Sequence, residues 1–193
     1  MKKEYWNDIA STGAILGVLM LVSHIFEQWS VVHLSLGGMA VVGLEMLAVA
    51  IVYIWLLYRF AKRASVRFGD DTTGFSYSQG VLYVFYVTLF AGIIVGFGNY
   101  LYLHYVVGYE NYVEQMVDNM QQMMRSAGGS SSMMSMYDNM FSTMLDQPEP
   151  GVLSTIFSSI FSYGFWGLLI GLFVAAGVKR EPVLFDNNEP ENE

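Results

Sequence analysis

Four apolar runs dominate the chain, at about residues 9–26, 36–58, 80–107 and 152–178. Each is long enough to cross a hydrocarbon core of about 30 Å, which takes roughly 20 helical residues at 1.5 Å rise. In lipid a lone segment must satisfy its own backbone N–H and C=O groups, so each run is predicted to be a helix. Composition agrees: 13% of residues are charged, against about 25% in ordinary soluble domains. About half of the 193 residues lie in the four runs, which leaves too little chain for a separate folded catalytic domain.

Charge excludes several function classes. The formal net charge is −8, so a nucleic-acid binder acting through a basic surface is excluded. The absence of cysteine excludes disulfides, thiolate metal sites and cysteine nucleophiles. Lys2 and Lys3 before an apolar run resemble a secretory signal, but the run is long for a signal core. His24, Phe26, Glu27 and Trp29 stand where a cleavage site needs small residues, so the first run is expected to be an uncleaved span.

The basic residues set the expected orientation. Lys2, Lys3, Arg59, Lys62, Arg63, Arg67, Lys179 and Arg180 fall on one side of the four spans, and only Arg125 on the other. The positive-inside rule then puts both termini in the cytoplasm. Tyr5, Trp6, Trp55 and Tyr58 mark the inner interface and Trp29, Tyr105 and Tyr109 the outer one, while Trp166 falls outside either belt.

Residues 108–151 form the sizeable extramembrane segment. Val113, Met116, Val117, Met120, Met123 and Met124 recur at three- and four-residue steps. Residues 127–132 (AGGSSS) break the pattern, and Tyr137, Met140, Phe141 and Met144 define a second stripe that ends before Pro148 and Pro150. The predicted fold is therefore an all-α integral membrane domain: four transmembrane helices with an extracytoplasmic amphipathic helical hairpin between spans three and four. An acidic tail, 181–193, is expected to be disordered. The hairpin is acidic, so anionic lipid offers it no electrostatic gain.

Three features carry possible chemistry. Gly13/Gly17, Gly92/Gly96 and Gly167/Gly171 are small-x-x-x-small pairs that permit close helix approach. Homodimerisation is one use for them; packing within the bundle is the plainer one. Glu45 is the acid inside a span, and an ionised carboxylate there is costly. With Asn99, His24 and His104 it forms a candidate intramembrane polar site. A proton- or ion-linked role competes with a simple inter-helix hydrogen bond from a protonated Glu45 to Asn99, and the latter is favoured. The third feature is methionine: nine of thirteen lie between Met116 and Met144. Thioethers bind Cu(I), and Met116, Met120, Met123, Met124, Met136, Met140 and Met144 have suitable spacing. Helical periodicity alone accounts for the same stripe, as an adaptable apolar face.

No serine–histidine signature, phosphate-binding glycine loop or H-E-x-x-H is present. Asp70-Asp71 could hold a metal-bound diphosphate but reads better as a solvated turn. The expectation is a non-enzymatic accessory subunit, without a cofactor, that scaffolds or anchors a membrane partner in envelope glycan or lipid assembly. A small transporter or copper-handling protein using Glu45 and the Met-rich segment is the alternative.

The order of motifs resembles a known family over about residues 2–185. These are G-F-S-Y-S-Q-G (residues 74–80), Asn99-Tyr100-Leu101-Tyr102, the acidic Met-bearing helix pair and the V-K-R-E-P close of the fourth span (178–182). It is similar to the uncharacterised four-span membrane proteins of Bacteroidota known as domain of unknown function 4199. The resemblance implies a bacterial inner-membrane location and no defined catalytic residues. It also suggests a membrane partner, a polyprenol-phosphate glycosyltransferase, from the genes beside those of its members.

Overall fold

A computed structural model describes residues 2–33, 36–69, 74–126 and 131–181. The described residues form helices α1 (Lys2–His33), α2 (Leu36–Phe68), α3 (Tyr77–Tyr102), α4 (Tyr109–Ser126), α5 (Ser131–Leu145) and α6 (Val152–Val178). A π-helical turn, Leu103–Val107, prolongs α3 and stops at Gly108, whose φ of 81° suits a residue without Cβ. Four helices have membrane-spanning length and hydropathy: Lys3–Val31, Val41–Phe68, Tyr77–Val107 and Val152–Val178. The chain is thus a multi-pass, all-helical membrane protein. The first and third spans start earlier than hydropathy predicts, because polar and aromatic residues such as Asp8 and Tyr77 continue the helices beyond their most apolar stretch. The acidic tail from residue 182, and Asp70 and Asp71, lie outside the described residues.

Helix α3 is the hub: half of its apolar window is buried, against 11% for α2. Glycines let its neighbours approach. A Cβ at Gly13 or Gly17 of α1 would press on Phe90, Val87, Ile94 and Ala91 of α3. On the other side, a Cβ at Gly96 would stand 2.8 Å from the Ile156 Cα of α6. At Gly92 it would press on Ile160, and at Gly167 it would overlap the Thr88 side chain, whereas at Gly171 it meets α3 at ordinary contact distance. The three glycine pairs therefore face helices of this same chain.

The family-resemblance motifs also meet in space. Ser76 caps α3: its Oγ accepts from the Gln79 N–H at 3.2 Å, and the Gln79 side chain accepts from the Ser76 N–H at 2.8 Å, a reciprocal capping box. One residue earlier, Phe75 exchanges two backbone hydrogen bonds with Arg180 (2.9 and 3.0 Å), tying the start of α3 to the end of α6.

Helix α2 behaves differently along its length. In its basic half Tyr53, Leu57, Ala61 and Ala64 are buried against the bundle. In residues 41–52 none is buried, and a Cβ at Gly43 would meet nothing within 4 Å. That half of α2 packs more loosely, and two clefts run along its seam with α1, α4 and α6.

Helices α4 and α5 pack on each other through Val113, Val117 and Phe141, with Met120, Met124, Tyr137 and Met144 around them. Asn119 Nδ2 donates to the Val31 carbonyl at 2.6 Å, which fixes α4 to the end of α1.

Candidate functional site

The polar side chains within the spans do not pair as expected. Glu45 does not bond Asn99. Its Oε1 accepts from Ser23 Oγ of α1 at 2.8 Å, while Asn99 Oδ1 accepts from Gln28 Nε2, also of α1. The reason is geometric. Glu45 and Asn99 lie at similar depth, but α1 passes between the upper halves of α2 and α3 and intercepts both. Among the described residues, Glu45 Oε2, Gln28 Oε1, Ser30 Oγ and Tyr53 Oη are buried without a partner.

His24 belongs to this layer. Its Nε2 lies 3.2 Å from the Tyr163 hydroxyl of α6 and its Nδ1 3.3 Å from Glu27 Oε2. With Nδ1–H donating to the carboxylate, Nε2 accepts from Tyr163. His104 does not belong. It stacks on Tyr100 and meets Glu149 at 2.8 Å, in a separate cleft of about 510 Å³ lined also by Tyr109, Glu110 and Glu114. No group of three or more His, Asp or Glu suited to a metal ion occurs among the described residues.

Two clefts of about 270 Å³ each flank the layer. One, between α1, α2 and α6, is lined by Met20, His24, Tyr53, Tyr163, Trp166 and Ala50 among others. The second, under α4, is lined by Glu27, Ser30, Gly43, Met46, Met116 and Met120 among others. Beside it, burial and then the Glu27 carboxylate push the Tyr112 phenol above its usual range.

The methionines divide. Met120, Met124 and Met144 pack in the α4–α5 core, Met116 faces the cleft with Met46, and Met123 and Met140 are each 42% exposed. Among the described side chains they do not gather into one cluster. The side chain of Met136 lies outside the described residues.

Sequence reasoning missed a constellation at the basic end. Asp8 is 5% exposed; its Oδ2 accepts from the Tyr83 hydroxyl at 2.7 Å and its Oδ1 from Arg63 Nη2 at 3.0 Å, with Arg67 Nη1 at 3.7 Å. Thr12 lies 3.4 Å from the Tyr83 hydroxyl. One carboxylate thus ties α1 to α2 and α3.

The chain belongs to the family described as Protein of unknown function (DUF4199), whose model matches residues 11–180. No curated protein and no solved structure matches it. The match takes in the capping box, the Phe75–Arg180 bridge and the polar layer, and begins just after Asp8.

Proposed function

We propose that this chain is a non-enzymatic accessory subunit of the bacterial cytoplasmic membrane that scaffolds a membrane partner along α2. The observation that carries the reading is the unpacked half of α2. Each glycine pair discussed above abuts a helix of the same chain, whereas a Cβ at Gly43, on the cleft under α4, would meet nothing within 4 Å, and Leu44, Leu47 and Ile51 beside it are exposed. A small residue on an open helix face allows a second helix to approach closely in lipid, where water-driven burial is unavailable. The envelope glycan and lipid pathways supply the candidate partner, a polyprenol-phosphate glycosyltransferase. Both termini face the cytoplasm in this reading, with α4 and α5 outside, because eight of nine basic residues gather at one end.

The chain has no cysteine, so Gly43→Cys introduces a single thiol for crosslinking in native membranes. The expected product is a crosslink to a different membrane protein, identified by mass spectrometry. A ladder of self-crosslinks would replace this reading with homo-oligomerisation. Monomer alone, with no co-purifying protein in mild detergent, would overturn it.

Copper handling is the second reading, favoured by one observation: Met46, Met116 and Met120 line one cleft with Glu27. Cu(I) loading of purified protein should then give near-stoichiometric metal, lost on replacing Met46 and Met116 together by Leu.

A further inference from the structure

Helix α2 has two opposite faces at its basic end. Tyr53, Leu57, Ala61 and Ala64 are buried against the bundle. At about 100° per residue, Ile51, Trp55, Tyr58, Arg59, Lys62 and Val66 fall on the other side of the helix, and all six are exposed. The apolar window of α2 is 11% buried, the least of the four spans, so this face meets lipid.

The cations of this half divide between the faces. Arg63 and Arg67 reach Asp8 at 3.0 and 3.7 Å, and the carboxylate offsets their charge. Arg59 and Lys62 form no ion pair among the described residues. Each stands over an aromatic ring of its own face instead. The Arg59 guanidinium carbon is 5.2 Å from the Trp55 ring centroid, and Lys62 Nζ is 5.9 Å from that of Tyr58. Helix α6 backs the Tyr58 ring: a Cβ at Gly177 would stand 2.9 Å from its Cε2. Two unpaired cations are thus presented together, about 4.5 Å apart along the axis. Trp55 lies about 10 Å below Lys62 and Ile51 about 16 Å below it. That is close to half of a hydrocarbon core of about 30 Å, with the aromatics at the boundary they favour.

We infer that this face of α2 binds an anionic glycerophospholipid, its phosphodiester on Arg59 and Lys62 and its acyl chains along Trp55 and Ile51. A phosphodiester only accepts hydrogen bonds, and it meets a planar donor fork from Arg59 and a point charge from Lys62. A zwitterionic lipid brings the same phosphate with an ammonium that opposes both cations. An acidic peptide or free phosphate would match the cations but leave the apolar part of the face without a counterpart. The chain carries a net charge of −8, so a preference for anionic lipid must be local rather than a property of its whole surface. This site is independent of the partner reading, which concerns the other end of α2 around Gly43.

The test uses the full chain in phosphatidylcholine nanodiscs, with Trp6, Trp29 and Trp166 replaced by Phe and Trp55 kept as the fluorophore. A fixed fraction of the lipid is phosphatidylglycerol with brominated acyl chains or, in parallel, brominated phosphatidylcholine. Bromine quenches Trp55 only from an adjacent lipid. Phosphatidylglycerol should quench more strongly, at a relative affinity roughly five- to thirtyfold higher. Arg59→Gln and Lys62→Gln should each lower that preference about fivefold, the equivalent of about 1 kcal/mol per cation. The double variant should quench equally with either lipid. Lys3→Gln with Lys179→Gln removes two exposed charges from the same end and should leave the preference unchanged. Equal quenching by the two lipids in the parent protein overturns the inference, as does a preference that survives loss of both Arg59 and Lys62. Equal losses in the two double variants overturn it as well, since a diffuse field would then act in place of a site. Displacement of the brominated phosphatidylglycerol by millimolar inorganic phosphate would assign the cations to a soluble anion instead.

Discussion

Removing the Asp8 carboxylate tests the strongest tie in the basic half of the bundle. Asp8 is 5% exposed and links α1 to α2 and α3, so its partners can be weighed separately. The Tyr83 hydroxyl is itself buried and donates at 2.7 Å; a hydrogen bond to a charged acceptor contributes about 1.5–3 kcal/mol. Arg63 and Arg67 are 57% and 54% exposed, so each regains water when the carboxylate goes, and each pair is worth about 0–1 kcal/mol. Asp8→Ala should therefore cost roughly 2–4 kcal/mol. Most of it should come from the tyrosine rather than the ion pairs. A double-mutant cycle separates the two. Unfolding in mixed micelles of rising SDS fraction is measured for Asp8→Ala, Tyr83→Phe, Arg63→Ala and the two doubles containing Asp8→Ala. The Asp8–Tyr83 coupling should be about 1.5–3 kcal/mol and the Asp8–Arg63 coupling below about 1. An Arg63 coupling larger than that of Tyr83 would refute the weighing, because it would mean that the exposed guanidinium is not recovered by solvent.

Other outcomes follow from the same geometry. Gly96→Ala should destabilise the protein by about 1–3 kcal/mol as overpacking at the α3–α6 contact, whereas Gly43→Ala should be tolerated or slightly stabilising; SDS unfolding of the pair checks both. Glu45→Gln should keep the bond from Ser23 and unfold within about 1 kcal/mol of wild type, while Glu45→Leu should lose it and leave Ser23 unpaired. Equal stability of all three would show that the Ser23 bond has no weight. A cysteine placed at Ser126, at the end of α4, should react with a membrane-impermeant maleimide in intact cells, and protection there would reverse the proposed orientation.

What the sequence reveals divides along one physical line. Features carried by local periodicity survive into the structure: four apolar helices, the two amphipathic helices Tyr109–Ser126 and Ser131–Leu145, and glycine pairs on packed faces. Pairing across helices does not, because it depends on which helix lies between. Glu45 and Asn99 share a depth, yet Ser23 and Gln28 of α1 take their hydrogen bonds. The methionine stripe likewise reads as one cluster along the chain, while the packing of α4 on α5 sends Met120 and Met124 inward and leaves Met123 exposed.

Asp8 shows the deeper limit. A hydropathy reading begins the first span at Ile9 because a carboxylate stops the apolar run, so it assigns Asp8 to water. The same charge is what makes it a tie: at the membrane boundary an acid can be buried once guanidiniums and a phenol reach it. Arg63 and Arg67, four residues apart on α2, present both guanidiniums on one face. Counted as positive-inside residues they report only orientation. Their second role is visible only when α1, α2 and α3 are brought together, and the Tyr83–Asp8 hydrogen bond makes the acid's burial tolerable. If Tyr83→Phe leaves stability unchanged while Asp8→Ala does not, the guanidiniums alone hold the carboxylate, and the orientation signal and the tie are one and the same feature.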